Sequence, residues 1–268
     1  MTSAPTIQPR FLPSRHDLGI VAVGFSGGQP KAGVDAAPMA LIENGLIKQL
    51  EEELDYNVTY DGQVHAYTEL QPASDPDYRG MKRPKFASAV TKQVSDQVYT
   101  HARSGKLVLT LGGDHSIAIG TVSGTAKAIR ERLGKEIAVI WVDAHADINT
   151  PETSDSGNIH GMPVSFLTGL ATEEREDVFG WIKEEHRLST KKLVYIGLRD
   201  IDKERRRFCA SMVSRRFPCM ILIDMVSAKS WIWRWVGSAA IPRFISRLTS
   251  TLSTPCGRLV PARLFVVV

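Results

Sequence analysis

Apolar residues come in short unbroken runs at 19–25, 107–111, 137–142 and 193–198. None of the runs alternates with polar residues, which suits strands buried on both faces rather than strands with one wet side. Between them lie longer stretches of helical composition, at 38–53, 86–102, 117–133 and in the Glu-rich 172–185. Strands alternating with helices predict an α/β fold with a mainly parallel, doubly wound sheet. Ligands of such sheets gather beyond the carboxyl ends of the strands, so chemistry is to be sought in whatever follows each run.

Leu111 is followed by Gly112, Gly113, Asp114, His115 and Ser116; Val142 by Asp143, Ala144, His145, Ala146 and Asp147; Leu198 by Arg199, Asp200, Ile201 and Asp202. On an extended segment residues two apart face the same way, so Asp143, His145 and Asp147 can project together into one cavity. Oxygen and imidazole donors without thiolate favour a hard or borderline ion such as Mn²⁺ over a structural zinc site. Taken singly, a His after Gly-Gly reads as a turn residue and Asp-x-His-x-Asp as a solvated loop. Together they sit at successive strand ends, and Asn149, Thr150, Ser156, Gly157, Asn158, His160 and Gly161 follow in one polar loop. That combination points to a metal site.

A chain of 268 residues, 43% hydrophobic, suffices for one α/β domain and hardly for two. No apolar stretch approaches the roughly 18 residues of a membrane span, and the opening has no apolar core of a secretion signal. The expectation is a soluble, cytoplasmic protein with no membrane partner. Arg10 and Arg15 in an acid-poor opening keep a mitochondrial presequence as the alternative.

The net charge of +4 is unevenly spread. Residues 205–268 hold eleven Lys or Arg against the single acid Asp224, leaving 22 basic and 28 acidic residues before them. All three cysteines and three of the five tryptophans also fall in this last stretch. The expected organisation is an α/β domain over 1–204 and an aberrant basic tail over 205–268.

Four segments, FSGGQPKAGVDAAPMALIENGL at 25–46, LGGDHSIAIGT at 111–121, WVDAHADINTPETSDSGNIHGMPVSFL at 141–167 and VYIGLRDID at 194–202, resemble the arginases. The resemblance covers roughly residues 15 to 204. It implies a three-layer αβα fold, two Mn²⁺ ions, L-arginine as substrate and a homotrimer. It also implies that His115, Asp143 and Asp147 hold one ion and that Asp143 and His145 hold the other, Asp143 bridging. Two cations lower the pKa of bound water far toward neutrality, to about 7, which supplies a nucleophile for the guanidinium carbon. His160 corresponds to the family's proton shuttle, Asn149 and Ser156 to donors to the α-carboxylate, Asn158 to a support of the same loop, and Asp202 to the acceptor for the α-ammonium. Asp147 then serves catalysis as a ligand. Agmatinases and other ureohydrolases are the nearest alternative class, and a non-catalytic arginase-like chain is another.

The resemblance stops near residue 204. Arginases carry a later strand-end motif of the form SFDVDALDP, whose two aspartates complete the metal site, and the chain has no such motif. Read one base back, however, the codons of 244–255 are compatible with HLSFDVDALDP. Those of 255–268 are compatible with MWAPSTGTPVRGG, and those of 207–235 with ILRENGIKAFSMYDIDRYGIGKVMDMAL. The expectation is therefore an out-of-frame tail, a fold incomplete at its C-terminus and an impaired catalyst. The basic, Trp-bearing tail carries no expectation of nucleic-acid binding, and its cysteine spacings fit no zinc motif.

Overall fold

The computed structural model describes residues 12–198 together with two short strands, Leu222–Ile223 and Val266–Val267. Strand β1, Asp17–Val23, is buried along nearly its whole length. Leu18, Ile20 and Ala22 face one way and pack with Leu50, Leu109 and Leu111. Val21 and Val23 face the other way, onto Val90, Val94 and Val98. Each such Leu, Ile or Val side chain contributes about 1.5–3 kcal/mol when fully buried, so a strand apolar on both faces is stable only between two covering layers.

Those layers are helical. On one side lie α1, Ala37–Glu43, and α2, Leu46–Glu52. On the other lies α3, Pro84–Arg103, which packs closely on α4, Ala118–Leu133. The start of α3 is set by Pro84 and by the Asp75 carboxylate, which accepts from Lys85 N–H at 3.0 Å and Phe86 N–H at 2.8 Å.

Among the described residues the strands form two four-stranded sheets. In the first, β1 pairs in parallel with β2, Asn57–Thr59, β3, Val64–His65, and β4, Leu107–Gly112. In the second the order is β7-β6-β5-β8, with β5, Val139–Val142, β6, Leu193–Ile196, β7, Leu222–Ile223, and β8, Val266–Val267. Strands β5, β6 and β7 are parallel, and β8 runs antiparallel to β5. A core of Val122, Ala126, Ile129, Trp141, Val164 and Tyr195 seats α4 and the short helix α5, Pro163–Leu167, against β5 and β6.

The four apolar runs all become strands, within two residues of the expected bounds. Two helical expectations are corrected. Segment 38–53 is two helices, because Asn44 and Gly45 break it and Gly45 takes φ +86°. Segment 172–185 contains no α-helix; Glu176–Gly180 is an irregular turn and Glu184–His186 a single 3₁₀ turn. Ser88 Oγ on α3 accepts the Phe179 N–H at 2.7 Å and the Trp181 Nε1–H at 3.2 Å, and Phe179 takes φ +62°. Burial of Val178, Phe179, Trp181 and Ile182 against α3 thus wins over the helical propensity of the Glu-rich stretch. Short β2, β3 and α5 were not legible as elements.

The expectation of an aberrant tail lies outside the described residues, apart from β7 and β8. Among those described, no helix is long and apolar enough to cross a membrane.

Candidate metal centre

The centre grows from the carboxyl ends of β4 and β5. After Gly112 the Asp114 side chain accepts from Ser116 N–H at 2.8 Å, capping the 3₁₀ turn His115–Ile117 that leads into α4. This delivers His115 inward, only 3% exposed, with its ring 5.2 Å from that of Trp141. After Val142 the Asp143 N–H donates to the Ile196 carbonyl at 3.0 Å, which ties the end of β5 to β6. Asp147 is buried and takes φ +46°, a backbone conformation costly for a side-chain-bearing residue, and its carbonyl accepts from Val164 N–H at 2.9 Å.

Three of the four sequence-derived ligands converge. His115, Asp143 and Asp147 each offer an atom within 4.8 Å of the others. His115 Nδ1 lies 3.0 Å from Asp143 Oδ2 and makes a shorter contact with Asp147 Oδ2. His145 stands on the far side of the same carboxylate, Nδ1 3.4 Å from Asp143 Oδ1, with 42% of its side chain exposed. It lies outside the close group of three. Asp143 therefore presents one oxygen to His115 and the other to His145.

Burial opposes a charge on His115, but hydrogen bonds and attraction from Asp143 and Asp147 outweigh it and hold the ring above the ordinary histidine range. Neighbouring Asp114 is pushed up by burial, against three donors from Ser116 and Gly28 that favour its ionised form. Two buried carboxylates that draw a positive charge toward them, with an imidazole and no thiolate, fit a divalent cation of the oxygen-preferring class.

The polar loop lies alongside. His160, on the 3₁₀ turn Ile159–Gly161, bonds the Gly28 carbonyl through its backbone N–H at 3.0 Å and through Nδ1 at 3.1 Å. Asn149 N–H donates to the Gly161 carbonyl at 3.0 Å, and the Asn149 carbonyl accepts from Ser165 Oγ at 2.7 Å. Ser156 is exposed and its Oγ accepts from Asn158 N–H at 3.3 Å. The loop is clamped from outside: Lys82 N–H donates to Gly157 O at 2.8 Å, and Arg79 pairs with Glu152 at 2.6 Å and Glu173 at 3.1 Å. Asp202 lies outside the described residues.

Sequence reasoning passed over Asp114 and Arg79. An Asp two residues before a Ser at the mouth of a helix is a capping signature and could have singled out Asp114. Arg79 meets its partners across 73 and 94 residues, for which no local signal exists.

Residues 16–228 match the family model described as the arginase family. The chain is 68% identical over 201 residues to an arginase of Neurospora crassa, covering 75% of this chain and 56% of that one. To an arginase of Coccidioides posadasii it is 64% identical over 207 residues, covering 77% and 64%. It thus spans less than two thirds of the length of these curated relatives. Among solved structures it is similar to a cold-adapted arginase from Glaciozyma antarctica, with TM-score 0.59 and 37% identity over 90% of this chain and 72% of that one. The arginase of Bacillus caldovelox gives TM-score 0.65 at 28% identity, over 88% and 72%. An Entamoeba histolytica arginase in complex with L-ornithine gives 0.61 at 26%, over 89% and 71%. These likenesses place the two sheets and their helices in a three-layer α/β fold.

Proposed function

The chain belongs to the arginase family, and we propose that its site is built for manganese-dependent hydrolysis of L-arginine to L-ornithine and urea. The observation that carries this reading is the buried group of His115, Asp143 and Asp147 at the ends of two parallel strands, beside the 149–160 loop. The two oxygens of Asp143, one toward His115 and one toward His145, support a bridging role between two ions. When bound, the cations supply a water acidic enough to act as nucleophile near neutral pH.

The chain's own residues do the rest. Asn149 and Ser156 donate to the substrate α-carboxylate, and Asn158 shapes the loop that carries them. Asp202 accepts from the α-ammonium. His160 moves a proton to the leaving amine, work for which an imidazole suits physiological pH. The reading includes a cytoplasmic location and the homotrimer of the family.

A second reading, a non-catalytic arginase-like chain, is favoured by one observation: 205–268 hold a single acid, Asp224, where two further aspartates are needed. The deciding experiment measures urea from L-arginine and from agmatine after saturation with Mn²⁺. Release from arginine alone supports the arginase site. Release from agmatine alone reassigns the substrate, and release from neither while Mn²⁺ still binds supports the non-catalytic reading.

A further inference from the structure

Asp114 lies beside the metal group without belonging to it, and its carboxylate reaches the loop that follows β1. Asp114 Oδ2 accepts the Gly28 N–H at 2.7 Å in a buried setting. The same residue's N–H donates to the Phe25 carbonyl at 2.8 Å, so the strand end holds the loop at two points. Oδ1 is engaged by Ser116 through both its N–H and its hydroxyl. The approach is so close that a Cβ on Gly28 would lie 2.6 Å from Ser116 Oγ and 2.7 Å from Asp114 Oδ1, leaving room for glycine only.

On its other side Gly28 offers its carbonyl to His160, which meets it with the backbone N–H at 3.0 Å and with Nδ1 at 3.1 Å. A carbonyl oxygen only accepts, so the proton of a neutral His160 ring sits on Nδ1 and its lone pair on Nε2. Gly28 is thus gripped at its N–H by Asp114 and at its carbonyl by His160, although the two side chains belong to segments 46 residues apart in number.

We propose that Asp114 is a positioning residue which, through Gly28, fixes His160 in the Nδ1–H tautomer and so dedicates Nε2 to proton transfer. This rests on the assignment of His160 as proton shuttle. A shuttle of the opposite tautomer would present a donor where an acceptor is required, and a loose Gly28 carbonyl would let the ring take either form. A single buried carboxylate acting at a distance thereby decides which ring nitrogen works.

The test reads the tautomer directly. The full chain, labelled with ¹⁵N-histidine and free of metal, is observed by long-range ¹H–¹⁵N correlation at a pH above the ordinary histidine range, with the His160 signals assigned by their loss in His160→Gln. The expected result is an Nδ1–H signature in the native chain, lost in Asp114→Ala and weakened in Asp114→Asn, which keeps the shape but gives up one acceptor. Ser116→Ala, which touches Asp114 and not the Gly28 N–H, keeps the signature. Should Asp114→Ala lose its circular-dichroism spectrum, Asp114→Asn decides. A native Nε2–H signature, or an Nδ1–H signature unaltered in every folded Asp114 variant, overturns the proposal. Failure of the shuttle assignment shows elsewhere, as undiminished urea release by His160→Gln in a frame-restored chain, and leaves the tautomer result standing.

Discussion

Asp143 is the residue on which the centre turns, because its two carboxylate oxygens face different histidines. Asp143→Asn removes the charge from both sides at once and is expected to weaken Mn²⁺ binding by more than ~10-fold in isothermal titration, the scale at which even supporting groups of metal sites are felt. His145→Ala is expected to cost less, since its ring is partly exposed and outside the close trio. Equal losses in the two variants would contradict this ordering of the ligands. The two donor motifs were legible in the sequence because strand ends and i, i+2 spacing are local. The ordering within them was not, because exposure depends on what packs over each side chain.

The segment 172–185 shows how a neighbour overrules local preference. Ser88 Oγ takes two buried donors from it, so Ser88→Ala leaves the Phe179 N–H and the Trp181 indole N–H without that acceptor. A buried unsatisfied donor costs about 1–3 kcal/mol, and the variant is expected to lose about 2–4 kcal/mol in urea denaturation. A loss under ~0.5 kcal/mol would mean that the segment relaxes onto other acceptors. At the end of the same segment His186 Nδ1 accepts from Lys183 N–H at 3.1 Å, and the ring packs edge-on to Trp181. Burial pulls its pKa below the ordinary value, with Glu185 opposing.

A folded-state pKa below the unfolded one means that the unfolded chain takes up the proton first as pH falls. The contribution of His186 is therefore intact above the ordinary histidine pKa of 6.5 and is lost on descending through it. His101, also lowered by burial, acts in the same direction, and His115, held up by its carboxylates, acts oppositely. The measurable quantity is thus a difference: His186→Gln is expected to lose less stability than the native chain between about pH 7.5 and about pH 5.5. An identical loss in both would remove His186 from the account.

Among the described residues two sheets bring their strand ends to one site, and residues 205–268 offer only Asp224 as a further carboxylate. Val142, the last residue of β5, is 49% exposed, and the neighbour of β5 opposite β6 is the two-residue antiparallel β8. Restoring the other reading frame from near codon 205 is expected to raise the Mn²⁺ bound from at most one ion per chain to two. Urea production from L-arginine should rise at least ~100-fold at equal protein concentration, the span attributed to one well-placed catalytic group. On the proposed reading, that frame would supply the two further aspartates needed beside Asp143 to hold a second ion. Comparable turnover from the chain of 268 residues would show that the missing aspartates are dispensable.

The parallel strands, the layers that cover them and the donor-bearing turns were readable from residue order, because burial on both faces demands unbroken apolar runs and a strand end displays its next residues in fixed directions. Folding decided what depends on distant partners. It chose His115, Asp143 and Asp147 as the close group and set His145 aside. It bent 172–185 around Ser88 and bound His160 to Gly28 across 132 residues. No local pattern encodes such meetings, since each exists only once a packed core has brought two remote segments within hydrogen-bonding distance.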